Sequence, residues 1–128
     1  TKEFVVNLVS EEIVEPMVVC ATDYDKEVDE FKISNLTPIN SEKISPPRLK
    51  ESKVSYECEL HSIVEIGNAE PGAGFVVIGT IVMFHIADEV YKDGRVDLKA
   101  LNPIGRLAGN NYTRVFDNFK VIRKIKPD

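Results

Sequence analysis

Apolar and polar side chains alternate without interruption through residues 54–61, and through residues 75–86 they hardly alternate at all. These two runs constrain the fold more than any other feature of the chain. A period of two marks a β-strand, whose side chains point to opposite faces in turn. Val54, Tyr56, Cys58 and Leu60 are therefore expected on one face, and Ser55, Glu57, Glu59 and His61 on a second face that meets water. The other run is nearly continuous in Val, Ile and Phe, which predicts a strand covered on both faces, inside a barrel or at a subunit interface. Lys92-Asp93-Gly94-Arg95 is a tight-turn signal between two short extended pieces. Residues 3–9 read as an early strand, and residues 111–115 and 119–122 as closing strands.

Helical signals are short. Ser10 is placed as an N-cap, with Glu11 and Glu12 in the first turn, where the helix dipole favours acids. Proline inside a helix costs about 3 kcal/mol. The prediction is therefore one helical turn, then a restart with Pro16 at its first position, ending near Ala21. Asp29 is placed to cap a second short helix through Phe31 and Ile33, and Leu98 to Leu101 predicts a helical turn ended by Asn102-Pro103. Residues 35–52, rich in Pro, Ser and Asn, read as an irregular connection with an extended piece at 37–40 and polyproline-like geometry at Pro46-Pro47. The expected fold class is mainly β with short helices, in one domain over residues 1–128.

Composition excludes several functions. The net charge is −5, with 13 acids against 7 bases in residues 1–60 and 8 against 9 thereafter, so nucleic acid is not the expected partner. Lys120, Arg123, Lys124 and Lys126 read as a lysine-guarded strand edge. No apolar run approaches the roughly 20 residues of a membrane-spanning helix, and Thr1-Lys2-Glu3 does not read as a secretory signal, so no membrane is expected and the expected location is the cytoplasm. Cys20 and Cys58 are too few for a disulfide framework and are expected as reduced, buried thiols. With His61 and His85 they show no zinc-site spacing, and no metal is expected.

Hydrolase elbows, phosphate loops and dinucleotide fingerprints are all lacking. Gly105 and Gly109 read as backbone turns. Glu57 and Glu59 share a strand face that suits solvent better than paired-carboxylate chemistry. Three other residues stand out. Asn7 is the lone polar side chain of its strand, His85 interrupts an apolar strand, and Tyr112 follows two asparagines beside a glycine turn. Each has a plain reading as well: a backbone-bonding amide, a satisfied partly buried histidine, a barrel-lining ring.

Several segments in order resemble the flavin reductase-like family, which includes flavoredoxins and the reductase components of two-component monooxygenases. They are Glu3-Phe4-Val5-Val6-Asn7; Asp29-Glu30-Phe31 with Asn35-Leu36-Thr37-Pro38; Pro46-Pro47-Arg48-Leu49-Lys50-Glu51-Ser52 followed by Tyr56-Glu57-Cys58; Ile78-Gly79; His85-Ile86-Ala87-Asp88-Glu89-Val90; Asp93-Gly94-Arg95-Val96-Asp97; and residues 103–112 from Pro103 to Tyr112. Asn35 stands where the family usually has glycine.

The resemblance implies an antiparallel split β-barrel, a homodimer, FMN held near the subunit interface, and hydride transfer from NADH or NADPH to that flavin. It assigns Asn7, His85 and Tyr112 to cofactor binding. It also implies that the family's opening segment is not part of this chain, so that FMN binding by residues 1–128 alone is expected to be weak or absent. The alternative reading is a non-catalytic split-barrel module for binding or dimerisation.

Overall fold

The computed structural model describes residues 2–68, 72–115 and 117–124. Its centre is an antiparallel three-stranded sheet in the order β1-β4-β5, built from β1 (Glu3–Asn7), β4 (Val54–Ile66) and β5 (Gly74–Ile86). Three two-stranded pairs surround it. β2 (Pro38–Ile39) pairs with β3 (Arg48–Leu49), β6 (Tyr91–Lys92) with β7 (Arg95–Val96), and β8 (Ile104–Arg106) with β9 (Tyr112–Arg114), all antiparallel. The short helices are α1 (Val14–Val19), α2 (Glu30–Ser34) and α3 (Leu98–Leu101).

Local chemistry explains most of these boundaries. Asp93 and Gly94 both take positive φ, 50° and 77°, as a two-residue hairpin turn between twisted strands requires. Asp29 Oδ1 accepts the Phe31 amide at 3.1 Å, and Asp97 Oδ1 accepts those of Lys99 and Ala100, so both helices start on the side-chain caps the sequence offered. Asn35 ends α2 in the left-handed region at φ 56°. Asparagine is the residue besides glycine that enters this region readily, which is why it can stand in the family's glycine position.

Three expectations are corrected. Pro16 is the third residue of α1, not the first. The first-turn amides have no helical partner, so proline is tolerated there without a lost bond. Ser10 precedes a 3-10 turn, Glu11–Ile13, but makes no capping bond; it is locked instead in a bridge with Pro103, and its hydroxyl is buried. Residues 119–122 form no strand. Phe119, Val121 and Ile122 lie almost fully exposed, and without ladder bonds to a neighbouring strand an extended segment is not part of a sheet. Lys126 lies outside the described residues.

The core is small and sits at one end of the sheet. Val54, Val90 and Leu101 are buried together, with Leu8, Tyr56, Ile86 and Val96 against them. Each fully buried aliphatic side chain there contributes about 2 kcal/mol. β4 and β5 pair over their whole length, but with irregularities between Glu57/Cys58 and Leu60/Ser62. Each leaves one residue unpaired and changes which parity of position faces the core. The expected cover on both faces of β5 is not found within this chain: no residue of the strand is buried, and Phe75, Val77 and Phe84 are among its exposed side chains.

Gly79 marks a close approach within the sheet. A Cβ built there would stand 2.4 Å from Phe4 Cζ and 3.2 Å from Cys58 Cβ. Gly79→Val is expected to displace the Phe4 ring and to cost roughly 1–3 kcal/mol in urea unfolding. A midpoint equal to that of the parent would show that the Phe4 ring moves aside freely.

Candidate functional site

Directly opposed residues on antiparallel strands share a face, so the register Asn7↔Ser55↔His85 sets three polar side chains in one row across β1, β4 and β5. Glu57 adjoins that row on β4. This face looks inward, onto the irregular connection at residues 40–49. Glu57 is 0% exposed, which overturns its expected place on a solvent face with Glu59 and His61; those two are exposed.

The connection is the reason for the inversion. Its backbone amides have few strand partners, and side-chain oxygens from the sheet replace them. Glu57 accepts the Glu42 amide at 2.8 Å on Oε1 and the Lys43 amide at 2.7 Å on Oε2. His85 Nε2 lies 2.6 Å from Glu57 Oε1. Asn7 Oδ1 accepts the Leu49 amide at 3.1 Å and the Ser55 hydroxyl at 3.0 Å. Glu3 takes the Ser45 amide, and Glu51 takes that of Thr37 with both oxygens. Burial alone would push the Glu57 carboxyl up. The Glu42 amide, the His85 ring and the Lys43 amide more than offset it and hold the group at about 2.

Asn7 also borders a cavity of about 310 Å3 between α1, α2, β1 and β3. Tyr112 lies elsewhere. Met17 and Cys20 face the cavity of Asn7, whereas Val18, Ala21 and Thr22 join Tyr112 and Arg106 around a second hollow of about 450 Å3. Arg106 lies 5.2 Å from the centre of the Tyr112 ring, donates to Tyr112 Oη at 3.2 Å, and donates to the Gly109 carbonyl at 3.0 Å. A flat ring beside a guanidinium suits a planar anionic ligand. The structure therefore brings Asn7 and His85 onto one sheet face and sets Tyr112 on another side of α1.

Sequence reasoning missed Glu57 and Arg106. The available signal for Glu57 was the long connection itself, whose unpaired amides demanded acceptors from a neighbouring element. Cys58 is a buried thiol raised by that burial, as expected, while Cys20 is only half-buried; both are free. Among the described residues, no group of three His, Cys, Asp or Glu side chains could hold a metal ion, and no helix is long and apolar enough to cross a membrane.

Comparison with known proteins gives the following. A family model described as flavin reductase like domain matches residues 1–101. An uncharacterized protein of Halalkalibacterium halodurans is 38% identical over 94% of this chain and 58% of its own length. The crystal structure of nitrilotriacetate monooxygenase component B from Bacillus cereus superposes with a TM-score of 0.86 at 36% identity, over 94% of this chain and 60% of that one. A split barrel domain protein of Shewanella frigidimarina superposes at 0.81 with 28% identity, over 97% of this chain and 62% of that one. The 128 residues thus span about 60% of the length of the proteins they match.

Proposed function

Because this chain belongs to the flavin reductase-like family and has its split-barrel fold, we propose that it is the FMN-binding part of an oxidoreductase that draws hydride from NADH or NADPH. The observation that carries this reading is the family match over residues 1–101, joined to the 36% identity with nitrilotriacetate monooxygenase component B from Bacillus cereus. When bound, the isoalloxazine supplies the redox chemistry, which leaves the protein to bind, orient and exclude water. Such chemistry asks for no acid–base pair from the protein, and the Glu57–His85 pair is already engaged in holding residues 42–43.

In this reading the cofactor contacts come from Asn7, His85 and Tyr112. Tyr112 offers a ring face, with the Arg106 guanidinium beside it as counter-charge to a phosphate. Asn7 offers its amide nitrogen, since its oxygen is already engaged. His85 stands behind them on Glu57 and fixes the wall formed by residues 42–43. Asn7 and Tyr112 lie on different sides of α1, so one FMN meets both at the interface of a homodimer. The expected location is the cytoplasm.

The test is spectrophotometric. The natural protein that contains this chain should oxidise NADH or NADPH with FMN in molar excess over protein. No loss of nicotinamide absorbance with either nucleotide would sink the proposal. One observation favours a second reading, a non-catalytic split-barrel module for binding or dimerisation: Asn7 Oδ1, Glu57 and His85 Nε2 are all engaged in holding the connection. FMN uptake without nicotinamide oxidation would select it.

A further inference from the structure

The walls of the 310 Å3 cavity are soft and apolar, with Met17, Phe31, Leu36 and Leu49 among them. No lysine or arginine is among its lining residues, and one carboxylate, Glu30, is. A phosphate or carboxylate ligand would lose its hydration there, find no counter-charge and face a like charge. Size points to a small ring system, since an apolar cavity of about 150 Å3 already takes up benzene.

The polar provision is narrow. Leu49 N–H and Ser55 Oγ both donate to Asn7 Oδ1, which fixes the plane of the amide and leaves Nδ2 as the spare donor of a residue that lines the cavity. The Ser34 hydroxyl is spent on the Glu30 carbonyl at 2.6 Å. We propose that this cavity binds a small, neutral aromatic molecule bearing a carbonyl, with the ring among Met17, Phe31 and Leu36 and the carbonyl oxygen accepting from Asn7 Nδ2. The site shares Asn7 with the flavin reading but does not rest on it.

The chain has two methionines, Met17 on the cavity and Met83 on β5, which gives the experiment an internal reference. Acetophenone is titrated into the 128-residue chain carrying carbon-13 methionine methyls, with no flavin or nicotinamide present. The Met17 methyl resonance should shift saturably and the Met83 resonance should stay. Benzoate, the anionic counterpart, should bind at least about tenfold more weakly. Asn7→Asp retains the oxygen that Leu49 and Ser55 donate to but loses the donor, and should weaken acetophenone by about tenfold with the unfolding midpoint retained. Absence of a saturable Met17 shift, equal shifts at both methionines, benzoate binding as tight as acetophenone, or unchanged affinity in Asn7→Asp would each overturn the proposal. Because the titration contains no flavin, a negative result leaves the nicotinamide oxidation test standing, and the converse holds.

Discussion

Glu57→Ala is expected to destabilise the protein by about 3–5 kcal/mol at neutral pH, the range for removing one member of a buried, hydrogen-bonded charged cluster. The change strips acceptors from the Glu42 and Lys43 amides and leaves His85 facing an apolar hole. Small domains have only about 5–15 kcal/mol in total, so this substitution alone approaches the limit of folding. Glu57→Gln is the gentler probe. It keeps the shape and one acceptor oxygen, and should cost roughly 1–3 kcal/mol. Urea unfolding of parent and variants gives the values directly, and a loss below the Gln range in Glu57→Ala would show that the connection does not need this carboxylate.

The same residue sets an acid limit. Its carboxyl titrates at about 2 when folded and at 4.5 ordinarily, so the folded protein binds that proton more weakly than the unfolded chain. A depressed carboxylate contributes stability that is fully present above pH 4.5 and is lost as pH falls from there towards 2. The loss amounts to something on the order of 3 kcal/mol. Glu57→Gln has no such group, so the stability gap between parent and variant should narrow across that window. A gap constant from neutral pH down to pH 2 would mean that the carboxyl is not held low.

The second large effect concerns association. Beyond Ser62, the β4–β5 ribbon is apolar on both faces save for Glu65, which lies opposite Phe75. Ile63, Val77 and Phe75 share one, Val64, Val76 and Ile78 the other, and Phe75 and Val77 are 67% and 52% exposed. A two-stranded ribbon of this kind is marginal in water without a cover, and contiguous apolar patches of such size mark interaction sites. The expected result is a homodimer in sedimentation equilibrium at micromolar concentration, with the ribbon buried between copies, since a stable interface needs about 800 Å2 from each partner. Val77→Asp places an unpaired carboxylate in that contact and should weaken association by a hundredfold or more. A parent chain that sediments only as a 14.4 kDa species would overturn this expectation. So would a Val77→Asp variant that dimerises like the parent.

Features governed by a few adjacent residues were legible in the amino-acid order. The Asp93-Gly94 hairpin, the Asp29 and Asp97 caps, the end of α3 at Asn102 and the pairing-competent stretches of β1, β4 and β5 all follow from local backbone preference and side-chain bonds within one turn. So did the family, because its marks are short phrases in fixed order along the chain. The candidate site was legible only in part. Asn7, His85 and Tyr112 drew notice as polar or aromatic groups in an unusual local setting, but nothing local said that Asn7 and His85 would share a row while Tyr112 stood across α1.

Tertiary structure alone decided the rest, because burial is a property of what lies above a face and not of the strand that bears it. Alternation at residues 54–61 established that Glu57 and Cys58 point to opposite faces. It could not reveal that the connection at 40–49, 42 and 43 above all, would fold over the polar face and turn an acid into its internal acceptor. The continuous apolar character of β5 likewise established a strand. Its irregular register against β4 decided which residues meet the core and which are left for another surface to cover. Local sequence determines the period of a strand, whereas the free energy of each face depends on solvent, bonds and neighbours brought from far along the chain.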